Sequence, residues 1–303
     1  MQICSIGECM TEFNTNNNLN YKSSFAGDTA NTAIYLSRLG AKVTYVTSIG
    51  VDKLSDRMIT FLKKEKINTK FIIRNSRKTV GLYIVENNLL GERNFNYWRS
   101  DSAAKFYFQM IDINKFSKFF YTYDLIYFSG ITLSIYNEKN LSNFYQFLKL
   151  LKKKKIKICM DLNMRIKNWK SKKHAKETIM KFYKITDLVF FTNEDIQSIG
   201  ISSNNLFNKI FNNPYTIHIY RKNSGKIDIY EKDCNSKYNI SLKNKVVDTT
   251  ACGDAFNAAF IFHYLKNANF DNCVKFAHKL AKRVAHNKGA IIPKEYFRKE
   301  QYV

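Results

Sequence analysis

The chain has 303 residues, 45% of them hydrophobic, with two prolines and no long polar tract, which suits one large packed domain and argues against disorder. Its 49 Lys and Arg against 25 Asp and Glu give a formal charge of +24. Apart from Lys152–Lys155 the positive residues are scattered, and Asn, Ile, Phe and Tyr are abundant too; AT-rich codons produce that joint enrichment, so the charge is read as compositional and not as a nucleic-acid site.

Alternation of short apolar runs with helical periods predicts an α/β fold with a mainly parallel sheet. Gln2–Ile6 reads as the first buried strand. The run that opens Phe25-Ala26-Gly27-Asp28 leads into a helix over Thr29–Leu39, which Gly40 ends. Val43–Ser48 is a strand and Asp52–Lys66 a helix. Between Phe71 and Arg99 the residues alternate and are broken by Asn87-Asn88 and Gly91, which predicts hairpins. A strand over Leu125–Phe128 precedes a helix over Asn137–Lys152, and the lysine run stands where a helix C-terminus favours cations. Ile156–Asp161, Leu188–Phe191 and Tyr215–Tyr220 read as strands, and Ser171–Lys184, Asp254–Leu265 and Asp271–His286 as helices. There is no G-x-G-x-x-G and no G-x-x-x-x-G-K-[ST], so neither a dinucleotide site nor a P-loop is supported. The six cysteines form no C-x-x-C pair, no run reaches a membrane span of about 18 apolar residues, and Met1–Glu8 lacks a basic leader. A reducing cytoplasm is the expected compartment.

Chemistry concentrates at Asp248-Thr249-Thr250-Ala251-Cys252-Gly253-Asp254-Ala255-Phe256. A small-residue turn there can aim the N–H groups of Ala251, Cys252 and Gly253 at one spot, and an apolar helix adds its positive end. A phosphate in transfer would be stabilised, with Asp254 beside it as general base. Asp254 on its own would also suit a helix cap. Cys252, with no His or basic neighbour, is a small filler and not a nucleophile. Asp248 is read as structural in preference to a role at the metal and phosphate end.

The run resembles the second signature of the PfkB (ribokinase-like) family of carbohydrate kinases, D-T-x-G-A-G-D-x-F, with Ala251 and Cys252 in place of Gly and Ala. Residues 25–40 resemble the first signature. Gly81-Leu82-Tyr83, Gly91-Glu92-Arg93, Tyr97-Trp98-Arg99, Ala103–Phe106, Asp161–Arg165 and Gly289–Pro293 continue the family's order. Gly7-Glu8-Cys9-Met10, G-D-T-x-N-T and Y-W-R are similar to the branch that acts on 2-dehydro-3-deoxygluconate (KDG), a sugar acid. The resemblance implies a ribokinase-like three-layer α/β/α sandwich as one domain over 1–303, with a small β-strand lid built from about 8–26 and 71–106. It implies ATP and Mg²⁺, a small sugar acid as substrate, no nucleic acid or membrane, and a homodimer or higher homo-oligomer through the lid.

Residue by residue, the resemblance gives Gly27, Asp28 and Asn31 to the sugar hydroxyls, although Asp28 also suits a helix cap. It gives Arg99 and Arg165 to the carboxylate, with Tyr83 and Tyr97 alongside, and a guanidinium fork suits that group. Asn193, Arg221, Gly253 and Gly289 fall to the nucleotide. No metal ligand is assigned. The family's N-x-x-E appears as Asn193-Glu194-Asp195-Ile196, leaving Glu194 or Asp195 as substitutes, and its K-x-G appears as Tyr220-Arg221-Lys222, with Gly225 available for the turn. The rivals are another sugar kinase of the family, such as a fructokinase, and a catalytically decayed, binding-only homologue.

Overall fold

The computed structural model describes residues 1–16, 20–87, 93–200, 213–222, 225–232, 234–240 and 246–297. A central sheet runs β1 (Gln2–Ile6), β4 (Lys42–Ile49), β5 (Ile72–Arg74), β8 (Leu125–Ser129), β9 (Lys157–Asp161), β10 (Leu188–Thr192), β11 (Ile217–Arg221), β12 (Lys226–Glu231) and β13 (Cys234–Asn239). Its spatial order is β13-β12-β11-β10-β9-β8-β1-β4-β5. All neighbours are parallel except β11 with β12 and β12 with β13. A second sheet, in the order β3-β2-β6-β7, joins β2 (Met10–Asn16), β3 (Asn20–Ala26), β6 (Leu82–Asn87) and β7 (Arg93–Trp98). Here β2 lies antiparallel to β3 and parallel to β6, and β6 is antiparallel to β7. Of the Gly91-Glu92-Arg93 motif, Gly91 and Glu92 lie outside the described residues.

Strand alternation builds two cores. Along β1 and β8, Ile3, Leu125 and Tyr127 join one buried cluster, while Cys4, Ile6, Ile126 and Phe128 join another. The first cluster is covered by α1 (Asp28–Leu39), α2 (Lys53–Lys64), α8 (Cys252–Leu265) and α9 (Phe270–Ala285). The second is covered by α3 (Ile113–Lys118), α4 (Gly130–Ile135), α5 (Glu138–Lys153), α6 (Lys172–Tyr183) and α7 (Asn193–Ser198). The result is the expected three-layer sandwich. The helical turn Ala103–Gln109 also belongs to the second layer, where Tyr107 and Phe108 are fully buried.

Local chemistry sets the helix ends. Asp52, Asn137 and Ser171 cap α2, α5 and α6 by accepting from Ser55 N, Asn140 N and His174 N. Gly40 closes α1 in the left-handed conformation, φ 106°. The strand expected over Tyr215–Tyr220 begins at Ile217, because Thr216 N turns back to Asn213 O at 3.1 Å. The hairpin β12–β13 was not foreseen. Lys222 N donates to Lys226 O at 2.7 Å and Gly225 takes φ 74°, so the turn glycine moves from position 222 to 225. Among the described residues no helix is long and apolar enough to cross a membrane.

Candidate active site

Parallel strands place their C-terminal ends along one edge, the usual ligand side of an open α/β sheet. Asp161, Thr192 and Arg221 are the last residues of β9, β10 and β11, and the head of α8 meets them there. Asp254 lies in the first turn of α8 and is 8% exposed. Its Oδ2 accepts from Asn31 Nδ2 at 2.8 Å, which joins the two signature motifs across the fold. Burial, then the charge of Asp28, pushes the Asp254 carboxyl well above the usual range; Asp161 adds to the effect, and Asn31 and Arg221 oppose it. A buried carboxylate with a raised pKa is a stronger proton acceptor than a solvated one.

The turn before α8 forms a cradle, but not with the three donors expected. Cys252 N–H is turned to Thr249 O at 3.2 Å. Among the described residues Ala251, Gly253 and Asp254 N–H have no backbone acceptor, so Asp254's own N–H takes the place of Cys252's. Ala251 caps the helix at φ 60°, a left-handed conformation that the glycine of the family pattern adopts without strain. Burial first, then Asp248 and Asp254, pushes the Cys252 thiol up to about 12, which removes it as a nucleophile. Asp248 is structural: it accepts from Thr250 N at 2.8 Å and Gly289 N at 2.6 Å, tying the turn to the loop after α9.

Arg221 closes the cradle. Its Nη1 donates to Gly253 O at 3.2 Å and its Nη2 pairs with Asp161 Oδ1 at 3.2 Å, while the guanidinium lies over Phe190 and Phe256. A Cβ at Gly253 would stand 2.9 Å from Arg221 Nη1, so only glycine leaves that approach open. Asp161 was not among the expected site residues, although it opens the Asp161–Arg165 motif at a strand end. Asn257, one turn after Asp254, donates to Asp161 Oδ2 at 2.7 Å and to Tyr127 Oη at 3.1 Å. Burial pushes the Asp161 carboxyl up to about 6, with Arg221 pulling it down and Asp195 pushing it up.

Of the residues expected at the sugar, Gly27 precedes α1 and Asp28 takes its first position. Asp28 Oδ1 accepts from Thr29 N at 2.8 Å and Oδ2 from Asn163 Nδ2 at 2.9 Å, so it serves the helix and the strand-end loop together. Tyr97 on β7 is 52% exposed. Burial raises its hydroxyl's pKa, while the charges of both Arg99 and Arg165 pull it down and Glu12 and Asp28 push it up. The charges of two arginines distant in sequence therefore act on one hydroxyl. Tyr83 is different: it is buried, gives its hydroxyl to Glu12 and packs on Tyr97 with ring centroids 5.5 Å apart. Its contribution is a plate behind Tyr97 and not a free hydroxyl.

In the motif expected at the nucleotide, Ile196 is packed into the second core and both oxygens of Asp195 are engaged. Asp195 accepts from Met164 N at 2.6 Å, Thr192 N at 2.7 Å and Thr192 Oγ1 at 2.9 Å. Both of its oxygens are therefore engaged within the protein. Asn193 Oδ1 is buried without a donor. Lys222 pairs with Asp228 and is drawn onto the hairpin. Gly289, at φ 88°, has open space around its Cα.

Comparison with known proteins agrees with this architecture. Residues 1–296 match the profile described as pfkB family carbohydrate kinase. The chain is 32% identical over 304 residues to the 2-dehydro-3-deoxygluconokinase of Haemophilus influenzae, covering 97% of this chain and 96% of that one. The crystal structure of 2-dehydro-3-deoxygluconokinase from Thermotoga maritima superposes with a TM-score of 0.82 at 21% identity, over 96% of both chains. That of a fructokinase with bound ATP from Xylella fastidiosa gives 0.81 at 18% identity, over 95% of this chain and 93% of that one. With both signature motifs joined at Asp254 and a match over nearly all of its length, the chain belongs to the pfkB family of carbohydrate kinases.

Proposed function

We propose that the protein transfers the γ-phosphoryl group of ATP to the 6-hydroxyl of KDG, giving 2-dehydro-3-deoxy-6-phosphogluconate. What carries this is the match over nearly the whole chain to a 2-dehydro-3-deoxygluconokinase at 32% identity, with the charges of both Arg99 and Arg165 acting on the Tyr97 hydroxyl. A neutral sugar offers nothing for two guanidinium groups; a sugar carboxylate does. Asn31 holds the Asp254 carboxylate and Asp28 and Asn163 are available to the sugar hydroxyls. In the step itself the 6-oxygen forms a bond to the γ-phosphorus as the bond to the bridging oxygen of ADP breaks, and the hydroxyl proton passes to Asp254. The N–H groups of Ala251, Gly253 and Asp254, which have no backbone acceptor among the described residues, the helix dipole and Arg221 oppose the charge on the transferring oxygens.

Magnesium belongs to the same reading. Among the described residues no group of three or more His, Cys, Asp or Glu gathers to hold a metal. The unpaired Asn193 Oδ1 and Asp161 are the groups nearest in kind to such an ion's needs. Bound with the nucleotide, Mg²⁺ would neutralise negative charge on the phosphate groups. The small sheet is read as a lid over the sugar and, through its edge strand β7 with exposed Phe95 and Trp98, as a contact between copies. A cytoplasmic enzyme with free thiols fits this chemistry.

A coupled assay with ATP, Mg²⁺ and a panel of KDG, fructose, ribose and gluconate tests the substrate, and Asp254→Asn tests the base. The variant should lose about 10²-fold or more in kcat with KM for KDG little changed. Near-wild-type turnover would remove Asp254 from the mechanism. Faster turnover of fructose than of KDG would replace the substrate.

A further inference from the structure

Taking Arg99 as a carboxylate contact, the sugar-acid reading on which this rests, we propose that Glu8 is its positioning residue: a buried counter-ion that fixes the guanidinium in the sugar site and so sets preference for an acid substrate. Glu8 follows β1 by way of Gly7, and its side chain is 2% exposed against 13% for Arg99. Arg99 Nη2 forms an ion pair with Glu8 Oε2. Among the described residues no hydrogen bond from any other group reaches either Glu8 oxygen, and Arg99 Nε and Nη2 are likewise buried with no other partner. The carboxylate and the guanidinium are each other's counter-charge. Space for the pair is made by Gly81, where a Cβ would lie 2.7 Å from Glu8 Oε1 and 3.1 Å from Arg99 Cβ.

The second arginine has no such anchor. Arg165 is exposed and, among the described residues, donates only to the carbonyl of its own neighbour, Met164 O, at 3.0 Å. The two guanidinium groups near Tyr97 thus differ in kind, one fixed before substrate arrives and one free to adjust. A buried guanidinium stripped of its carboxylate is costly and turns toward water, so removing the Glu8 charge should take Arg99 out of the site without touching the transferring phosphate. Rigidity held in advance lowers the ordering cost of binding, which appears in KM and not in the chemical step.

The test compares steady-state kinetics of the full chain carrying Glu8→Gln, Glu8→Asp, Arg99→Met and the Glu8→Gln, Arg99→Met double substitution. Glu8→Gln keeps the shape and loses the charge; KM for KDG should rise about tenfold, with kcat within about twofold and KM for ATP unchanged. Glu8→Asp, which keeps the charge, should fall between Glu8→Gln and the wild type, and carries the test if Glu8→Gln does not fold. In the Arg99→Met background Glu8→Gln should add nothing, since its effect passes through Arg99. An unchanged KM in Glu8→Gln, parallel loss of kcat and both KM values, or a full additional penalty in the double variant would overturn the role. If Arg99→Met leaves KM for KDG unchanged, the sugar-acid reading fails; if Arg99→Met raises it and Glu8→Gln does not, only the role of Glu8 fails.

Discussion

At the scale of single residues the site is governed by carboxylates that the fold keeps out of water. Burial and the neighbouring charges of Asp28 and Asp161 raise the proton affinity of Asp254, burial with Asp195 and Asp28 raises that of Asp161, and Arg221 is the cation set against both. Asp161 shows the consequence for stability. Its folded value of about 6 lies above the ordinary 3.8, so the folded state holds this proton more tightly than the unfolded chain does. The associated stability is present below about pH 4 and is lost as pH rises through about 6, a difference of about 3 kcal/mol. Asp161→Asn cannot ionise. Its stability relative to wild type, measured by urea unfolding, should therefore improve by up to about 3 kcal/mol between pH 4 and pH 7. A relative stability flat over that range would mean that Asp161 is already ionised at pH 4. Asp254 and Asn31 were legible because each sits in a motif with a chemical rationale. Glu8 and Asp161 were not, because what makes them functional is a partner far along the chain, Arg99 for one and Arg221 for the other.

At the scale of elements, α7 shows how a departure from a family pattern is absorbed. The glutamate position is taken by Ile196, which faces the core, and Asp195 has become the second half of a capping box with Thr192 while also holding Met164 N. Asp195→Ala leaves two buried backbone donors unsatisfied and should lower stability by about 1–3 kcal/mol, with the Mg²⁺ dependence of kcat unchanged. A raised Mg²⁺ requirement at unchanged stability would make Asp195 a metal-linked carboxylate instead. Helices with a cap and a full apolar stripe were readable from the sequence to within a few residues, as α2 and α5 show. The short helices α3, α4 and α7 span six residues each, too few for a period to register. The hairpin β12–β13 was missed although Ile227 and Ile229 alternate, because the strand that it extends belongs to a parallel sheet and gives no local sign of an antiparallel edge.

At the scale of the whole molecule, strand order was beyond sequence patterning: β1 lies between β4 and β8, pairings made only by long crossovers. That order is also what brings the cradle at residue 254 against Asn31, a contact no spacing could announce. The charge of +24 is the remaining global property. Like charges over a surface repel within about 10 Å at 0.1 M salt, so screening should stabilise the folded chain. Raising salt from about 10 to about 150 mM should lift Tm by about 1–2 °C, the equivalent of roughly 1 kcal/mol for a domain of this size. Random duplex DNA held at the lower salt should be released by about 0.2 M, because scattered lysines bind it only through counter-ion release. ATP should not displace it, since the cradle at the head of α8 is a different surface from those lysines. Retention of DNA at about 0.2 M together with competition by ATP would place a polyanion in the nucleotide groove and make nucleic-acid binding a function of the site and not a by-product of composition.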